Sequence, residues 1–377
     1  MPAIHLFNPE NDLALASGMP FYTARPNARA LHDAGAALPF WWAEDGDRVI
    51  ASNLSAEWFE QMKQTFALNA DIFQRESDVM GHVACPWGWS LDAKCQFVKE
   101  GVDASILPDD KVIERLRELS HRRLTIDVMR QLRKLCDFIK VPLPIEAKST
   151  DEAMDFIAQH RSCYVKSPWS SSGRGVFSTI AMPDEELSRR IGGIIRRQGS
   201  VMCEVELDKV ADFAMLFYSD GAKVKHIGYS LFFNAATSAY VGNRIMSDEK
   251  IIEYLSQWIN LAQLQQVSVA LESILTTIFA ADYQGYFGVD MMIYRDADGC
   301  MSIAPCVEVN LRMTMGVVAW LWRKRYLAEG CDAILRVEYR ECTASDVAPV
   351  VVNGKLKCGT ISLIPPNPQF FITIEVE

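Results

Sequence analysis

The first 118 residues alternate between short apolar stretches and amphipathic ones. Residues 4–7 and 82–85 have the composition of buried strands, and each is followed by turn-forming residues and then by a helical pattern, at 13–16 and 91–100. Strand, turn and helix in alternation are typical of a parallel sheet covered by helices. We therefore predict an N-terminal α/β domain over residues 1–118.

The rest of the chain mixes longer helical patterns with strands of period two. The helical patterns cover residues 109–119, 122–139, 149–160, 184–197 and 248–280, and one more begins near residue 317. The strand patterns cover residues 163–165, 176–177, 201–205, 212–233, 287–294, 303–309 and 360–376. Neither an internal repeat nor a low-complexity tract is visible. The predicted fold class is α/β, with an α+β part towards the C-terminus.

Between two of these strands lies a loop of small residues. The apolar residues 163–165 lead to Lys166, and Val176 resumes the strand pattern after Ser170, Ser171, Ser172, Gly173, Arg174 and Gly175. Successive backbone N–H groups in such a turn, with a lysine beside them, form a cradle for a polyphosphate. A P-loop would instead open a helix. The alternative is an ordinary flexible hairpin, since loops rich in serine and glycine are common.

A second block of interest is the pair of strands that an Asp/Gly turn at 295–299 joins. Because side chains alternate with a period of two, Glu308, Asn310 and Arg312 share one face, and folding about the turn brings Asp290 level with Glu308. Two carboxylates and an amide suit Mg²⁺, which prefers one or two carboxylates plus nucleotide phosphates. Arg312 can neutralise charge on a transferring phosphoryl group or bind a substrate carboxylate. The alternative is a polar sheet face on which Glu308 and Arg312 form a weak surface pair.

Taken in order, the two blocks resemble the ATP-grasp superfamily. In that family a lysine ends a strand before a phosphate loop, an acidic segment then contacts adenine, and an Asp followed by Glu-x-Asn binds Mg²⁺. By this resemblance Lys166 is the second nucleotide lysine, residues 170–176 are the phosphate loop, and Arg312 matches an arginine often found two residues after the asparagine. The resemblance further assigns the adenine site to Glu204, Val205 and Leu207, the ribose-binding acid to Asp212, the first nucleotide cation to Arg122 or Arg123, and the metal ligands to Asp290, Glu308 and Asn310. Which of the two arginines faces the nucleotide is left open.

The resemblance implies a Rossmann-like N-terminal domain before a two-lobed ATP-grasp domain. The lobes correspond to residues 119–200, with the phosphate loop, and 201–377, with the metal site. It also implies ATP and Mg²⁺ or Mn²⁺ as cofactors, with Lys166 and Arg312 as catalytic residues. The implied reaction joins a small-molecule or peptide carboxylate to an amine or thiol through an acylphosphate, releasing ADP and phosphate. A phosphotransferase on the same scaffold and a nucleotide-binding regulatory or scaffold protein are the alternatives.

Two further segments are candidates for the substrate side. Asn8 and Glu10, with Asp12, follow the first strand, where open α/β sheets bind ligands, although Asn and Asp also form turns and helix caps routinely. The segment 232–244 is longer than a hairpin turn and carries Tyr240, Asn243 and Arg244. We expect it to be a substrate-side loop, with a surface loop as the alternative.

Composition and charge restrict the classes of partner and compartment. A formal net charge of −10 argues against a general binder of nucleic acid or anionic membrane, because both need a basic face. The ten cysteines include no CxxC pair, which favours reduced thiols in a reducing compartment. No signal-peptide pattern or bilayer-length apolar run is present. We expect a soluble, cytoplasmic enzyme and leave a homo-oligomer possible.

Overall fold

The computed structural model describes residues 1–52, 54–75, 80–160, 162–170, 175–235 and 239–376. Its N-terminal part contains a four-stranded sheet of β1 (Ala3–Leu6), β2 (Arg48–Val49), β3 (Asp71–Ile72) and β4 (Val83–Pro86). The strand order is β3-β2-β1-β4 and every neighbouring pair is parallel. The predicted parallel arrangement is therefore confirmed.

Five helices accompany this sheet: α1 (Asn11–Ser17), α2 (Pro26–Gly35), α3 (Ala56–Phe66), α4 (Leu91–Glu100) and α5 (Asp110–Leu119). The N-termini of α3 and α4 are capped by Ser55 and Ser90, whose side chains accept a backbone N–H from the first turn. Helices α1 and α4 follow β1 and β4, which are neighbours in the sheet. The segments after these two strands therefore lie at the same edge of the sheet.

The middle of the chain begins with α6 (Leu124–Leu135), which packs on the larger sheet described below. The elements after it form a small antiparallel sheet with two helices: β5 (Ile145–Ala147), α7 (Thr150–Ala158), β6 (Cys163–Lys166), β7 (Val176–Ser178), α8 (Asp184–Gln198) and β8 (Val201–Val205). The order β5-β8-β6-β7 places β6 beside β8 at the centre. Because β8 pairs within this sheet, the sheet extends to Val205.

The remaining strands form a nine-stranded sheet in the order β13-β12-β9-β10-β11-β14-β17-β16-β15. Its elements are β9 (Asp208–Asp220), β10 (Val224–Asn234), β11 (Tyr240–Ile245), α9 (Asp248–Leu255), α10 (Leu261–Phe279), β12 (Gln284–Arg295), β13 (Met301–Asn310), α11 (Met315–Tyr326), β14 (Ala333–Tyr339), β15 (Val350–Val352), β16 (Lys355–Ser362) and β17 (Phe370–Val376). The sequence patterns predict no strand at β14 or β15. The prediction of a loop over 232–244 is wrong for the residues of β11, which pair with β10 and β14.

Both faces of this large sheet are buried along β9. Phe213, Met215 and Phe217 point into a core shared with α6 and α10, whereas Ala214 and Leu216 point into a core shared with α11. The alternation follows from the period of two in a strand. The sheet is thereby held between two helical layers at its centre, which fixes the strands that carry the predicted metal ligands.

The core around α11 also includes residues of the N-terminal domain. The ring of Trp41 lies 5.4 Å from that of Tyr326 and 6.4 Å from that of Trp322, and its Nε1–H donates to the Leu363 carbonyl at 2.8 Å. The N-terminal domain and the C-terminal strands therefore share one hydrophobic core. In the part of the chain that the structure describes, no helix is both long and apolar enough to cross a membrane.

Candidate nucleotide and metal site

A mostly apolar cavity of about 230 Å³ lies between the small sheet and the nine-stranded sheet. We call it the large cavity. Strands β6 to β8 contribute Tyr164, Lys166, Val176, Glu204 and Val205, and the large sheet contributes Lys209, Asp212, Phe232, Asn234, Asp290, Met291, Met292, Ala304, Cys306 and Val307. Helix α6 and the segments that follow it and β8 contribute Thr125, Met129, Val141, Pro142, Pro144 and Leu207. A mostly apolar cavity with a few charged groups at one end suits a flat aromatic base with a charged tail.

Lys166 is the last residue of β6 and lines the large cavity on the side of the small sheet. Its ammonium forms an ion pair with Glu204 on the neighbouring strand β8. Both side chains are largely buried. A phosphate that binds here can replace Glu204 as the partner of the Lys166 ammonium.

Asp212 lies on β9 at the wall of the same cavity. It accepts a bond from the Lys209 ammonium at 2.7 Å and one from the Asn234 amide at 3.4 Å. Leu207 and Val205 line the wall between Asp212 and Glu204. The four residues predicted to contact the nucleoside are therefore all brought to one cavity.

The predicted phosphate loop is described at its two ends. Gly175 has a φ of +79°, and a Cβ there would lie 2.7 Å from the Ser167 hydroxyl, so this position favours glycine. The Ser167 N–H donates to the Gly175 carbonyl at 2.8 Å, which closes the base of the loop. Ser171, Ser172, Gly173 and Arg174 lie outside the described residues.

Arg122 and Arg123 differ sharply in their surroundings. The Arg122 guanidinium is buried and donates to the Ser167 carbonyl and the Ser170 hydroxyl, both at 2.6 Å, and to Glu308 at 2.8 Å. Arg123 is exposed on the other side of the helix start. The structure therefore places Arg122, and not Arg123, between the phosphate loop and the predicted metal ligands.

The predicted metal ligands meet across the β12–β13 hairpin. Asp290 lies directly opposite Glu308, which confirms the predicted register, and the Asn310 amide donates to Asp290 at 3.0 Å. Burial and the neighbouring Glu308 carboxylate raise the pKa of Asp290 to about 7. Two carboxylates that repel each other in a buried site have the chemistry that a divalent cation neutralises, so the three residues fit Mg²⁺.

Asp290, Glu308 and Asn310 offer two carboxylates and one amide to a cation. Among the described residues, no group of three or more His, Cys, Asp and Glu side chains is arranged to hold a metal ion. A cation held by the three residues would take further oxygen ligands from elsewhere, as magnesium does in sites that also bind phosphates.

A second pocket, of only about 10 Å³, is lined by Glu308 and Asn310. We call it the polar pocket; its lining consists of Asp12, Ser120, Pro168, Trp169, Ser170, Glu308, Val309, Asn310, Leu311 and Arg312. Arg312 forms an ion pair with Asp12, with a distance of 2.7 Å from Nη2 to the carboxylate. Burial lowers the pKa of Arg312, but the carboxylates of Asp12, Glu308 and Asp290 together raise it, so its pKa lies above the usual value. Of the predicted metal ligands, Asp290 thus lines the large cavity, and Glu308 and Asn310 line the polar pocket.

Of the residues predicted for the substrate side, Asp12 lines the polar pocket, whereas Asn8, Glu10, Tyr240, Asn243 and Arg244 line neither space. Asn8 is buried and bonded to the backbone of Gly88, and Glu10 is buried against His32. Tyr240 donates to Asn243, whose amide donates to Ser230 at 2.5 Å beneath α11. Arg244 is exposed and lines a separate small pocket with Trp320 and Arg323. In this conformation Asn8, Glu10, Tyr240 and Asn243 act in packing.

Several lining residues escaped the sequence analysis, although most carry a simple signal. Tyr164 precedes Lys166 by two residues, Met292 follows Asp290 by two, and Cys306 precedes Glu308 by two, so each shares a face with a predicted site residue. Burial raises the pKa of the Cys306 thiol to about 12, which makes it an inert part of the wall. Ser120 carries no such signal, because its place in the polar pocket depends on how the domains pack.

No protein-family model and no curated protein sequence matches the chain. Solved structures with a similar fold include a biotin carboxylase from Campylobacter jejuni in complex with β,γ-ATP, with a TM-score of 0.52 at 10% identity over 100% of this chain and 88% of that one. Pyruvate carboxylase from Rhizobium etli has a TM-score of 0.51 at 13% identity, over 99% of this chain and 36% of that chain. Phosphoribosylamine–glycine ligase from Thermotoga maritima has a TM-score of 0.50 at 11% identity, over 99% of this chain and 92% of that one. At these identities the likeness concerns the fold alone.

Proposed function

Because the chain has the ATP-grasp fold, we propose that it is an ATP- and Mg²⁺-dependent ligase that joins a carboxylate to an amine or thiol. The observation that carries this proposal is the pairing of Asp290, which lines the large cavity, with Glu308, which lines the polar pocket together with Asn310. Such an arrangement puts the γ-phosphate of a nucleotide in the large cavity beside whatever occupies the polar pocket. Transfer of the phosphoryl group from one space to the other then requires little movement.

The large cavity supplies the nucleotide contacts in this proposal. The adenine lies against Val205, Leu207 and the apolar wall, and Asp212 binds the ribose hydroxyls. Lys166 and Arg122 bind the phosphates. Lys166 exchanges its ion pair with Glu204 for a phosphate, and Arg122 exchanges its ion pair with Glu308. Charge-assisted bonds from lysine and arginine to phosphate are among the strongest polar contacts available.

Asp290, Glu308 and Asn310 would hold Mg²⁺, which supplies charge neutralisation at the phosphates when it is bound. The positive charge of the cation would offset the two effects that raise the pKa of Asp290, which are burial and the neighbouring Glu308 carboxylate. Arg122, which faces Glu308, completes the set of groups that balance charge on this side of the site.

The proposed reaction has two steps. A carboxylate oxygen of the first substrate attacks the γ-phosphorus, the bond from that phosphorus to the bridging oxygen breaks, and ADP leaves with an acylphosphate formed. The nitrogen or sulfur of the second substrate then attacks the acyl carbon, phosphate leaves with the bonding electrons, and the displaced proton passes to solvent or phosphate. Arg312 faces the transferring group from the polar pocket and offsets its developing charge.

One assay tests this proposal against its alternatives. The protein is incubated with ATP, Mg²⁺ and a pool of carboxylates and amines, while ADP, phosphate and new masses are followed. We expect ADP, free phosphate and a condensed product. ADP with a phosphorylated product would instead identify a phosphotransferase, and nucleotide binding without turnover across a broad pool would identify a regulatory or scaffold protein.

Two substitutions test the site itself. Lys166→Ala removes a phosphate ligand and Glu308→Ala removes a metal ligand, so each is expected to lower turnover by at least about 100-fold. Lys148→Ala and Glu185→Ala change the same residue types at exposed positions and are expected to keep full activity. Wild-type turnover in either site variant would contradict the assignment of the site.

A further inference from the structure

The ion pair between Asp12 and Arg312 joins two residues that are 300 positions apart in the chain. Nε donates to Oδ1 of the carboxylate at 3.1 Å and Nη2 donates to Oδ2 at 2.7 Å, which is the fork geometry of a bidentate pair. The two side chains are only 14% and 15% exposed. This is therefore a largely buried contact between the N-terminal domain and the strand that carries the metal ligands.

Every nitrogen of the Arg312 guanidinium already has an acceptor. Besides the fork on Asp12, Nη2 donates to the Asn310 side chain and Nη1 to the Met313 carbonyl, both at 3.1 Å. The Nη1–Nη2 edge already donates to the Asn310 side chain and to the Met313 carbonyl, and a substrate carboxylate that binds the Nε–Nη2 edge in bidentate geometry takes the place of Asp12. Binding of a substrate carboxylate at that edge is therefore linked to release of the Asp12 carboxylate in the same pocket.

Substrates bind well only if the Asp12 carboxylate gains a new partner when it separates from Arg312. Loss of the cation beside a largely buried carboxylate strongly destabilises the complex, because the free-energy cost of removing the carboxylate from water is no longer offset. A simple monocarboxylate would leave Asp12 in that state. A molecule that carries a cationic amine a few ångströms from its carboxylate replaces both partners, since its carboxylate meets Arg312 and its ammonium meets Asp12.

From this we infer that the acyl donor is an amino acid, bound through its carboxylate to Arg312 and through its ammonium to Asp12. The inference rests on the proposed ligase function and names the substrate class of the polar pocket. The carboxylate then lies beside Asn310 and Glu308, on the side where the γ-phosphate arrives. Asp12 is the residue that selects the charged amine.

Turnover with a generic nucleophile tests this without knowledge of the natural acceptor. The intact protein is supplied with ATP, Mg²⁺ and hydroxylamine, which converts any acylphosphate to a hydroxamate and releases phosphate. Each of the twenty amino acids is compared with the matched carboxylic acid that lacks the amino group, such as alanine with propionate. We expect hydroxamate and ADP from at least one amino acid, with kcat/KM on the order of 100-fold above that of its deaminated partner. Equal rates for the two members of every pair, or activity confined to carboxylates without an amine, would overturn the inference while leaving the ligase proposal standing.

The variant Asp12→Asn separates recognition of the amine from orientation of Arg312. Asparagine keeps the size of the side chain and removes its charge. We expect KM for the amino acid to rise by on the order of 100-fold, while the activity with the deaminated acid stays the same or rises. If Asp12 only orients Arg312, both substrates lose activity together. Asp33→Asn breaks an exposed Asp–Arg pair in the same domain and is the matched control.

Binding provides a readout that does not depend on turnover. The substrate amino acid, added without ATP, is expected to raise the melting temperature of the wild-type protein and not that of the Asp12→Asn variant, because a ligand stabilises only the state that binds it. An equal shift in both proteins contradicts the inference. Absence of ADP from every carboxylate would contradict the ligase proposal, and absence of any amino-acid-induced shift would then contradict this inference as well.

Discussion

At the scale of single residues, each cation proposed to bind the nucleotide or the substrate is paired with a carboxylate. Lys166 pairs with Glu204, Arg122 with Glu308, and Arg312 with Asp12. We expect a bound phosphate or substrate carboxylate to take the place of these partners. The arrangement avoids unpaired buried charge and keeps the cations oriented, which lowers the cost of ordering them on binding.

Arg122 provides the sharpest residue-level prediction. Arg122→Lys keeps the charge but loses the fork that bonds Ser167, Ser170 and Glu308 at once, so we expect the Kd for ATP with Mg²⁺ to rise about 10- to 100-fold. Arg123→Lys makes the same change at an exposed neighbour and should leave the Kd within about two-fold. Isothermal titration calorimetry measures both without a known acceptor. Equal losses in the two variants would show that the helix start, and not the Arg122 contacts, governs binding.

At the scale of elements, strand pairing positions the site. The β12–β13 hairpin sets Asp290 opposite Glu308, and β9 and β13 hold β12 on either side. Away from this hairpin the same sheet continues through β11 and β14, whose pairing depends on a close backbone approach at Gly242. The sheet is therefore sensitive to a small side chain there.

Gly242→Ala is expected to destabilise the protein. The new Cβ would lie 2.1 Å from the Leu335 carbonyl oxygen of β14, and backbone within a paired strand cannot move aside without breaking its hydrogen bonds. We expect a loss of about 1–3 kcal/mol in the free energy of unfolding, measured by urea denaturation.

The control is the same substitution in a helix. A Cβ at Gly193 in α8 meets nothing nearer than the end of the Arg197 side chain at 3.6 Å, so Gly193→Ala should stabilise by about 0.5–1 kcal/mol. Effects of the same sign in both variants would refute the steric explanation.

At the scale of the whole molecule, the N-terminal domain and the C-terminal strands share one core. Trp41 packs against Trp322 and Tyr326 and donates to the Leu363 carbonyl. The same core includes Phe66 from the N-terminal domain and Ile361 from β16. Because these residues are buried together, we expect the two regions to unfold as one cooperative unit.

Trp41→Phe tests this coupling. The change leaves the Leu363 carbonyl without its donor and opens space in the shared core, so a loss of about 1–3 kcal/mol is expected. Hydrogen exchange should report reduced protection in residues 38–66 and 355–364 alike. Trp258→Phe alters a half-buried tryptophan elsewhere and should cost under about 1 kcal/mol. Two separate unfolding transitions, or loss of protection in only one of the segments, would argue for independent domains.

The sequence alone determined the parts of the protein that depend on local pattern. The alternation of side chains along β13 and the short Asp/Gly turn before it placed Asp290 near Glu308, because both follow from the period of a strand. The direct pairing of the two residues also needs the shift of register between Asp290 and Met292, since regular pairing from the turn would bring Asp290 opposite Cys306. The helices that begin after Ser149 and at Asp184 also follow from local signals of capping and amphipathicity. The strand β14 was missed, since its place in the sheet depends on its pairing with β11 and β17.

Only the tertiary structure decided which polar groups face one another across the domains. Nothing local distinguishes Arg122 from Arg123, and burial of one against Ser170 and Glu308 makes the difference. Asp12 has the sequence context of a turn residue, yet packing of the N-terminal domain brings it to Arg312, 300 positions away. Local periodicity therefore specifies the faces of strands and helices, whereas the pairing of charges between distant segments is set by how those faces pack.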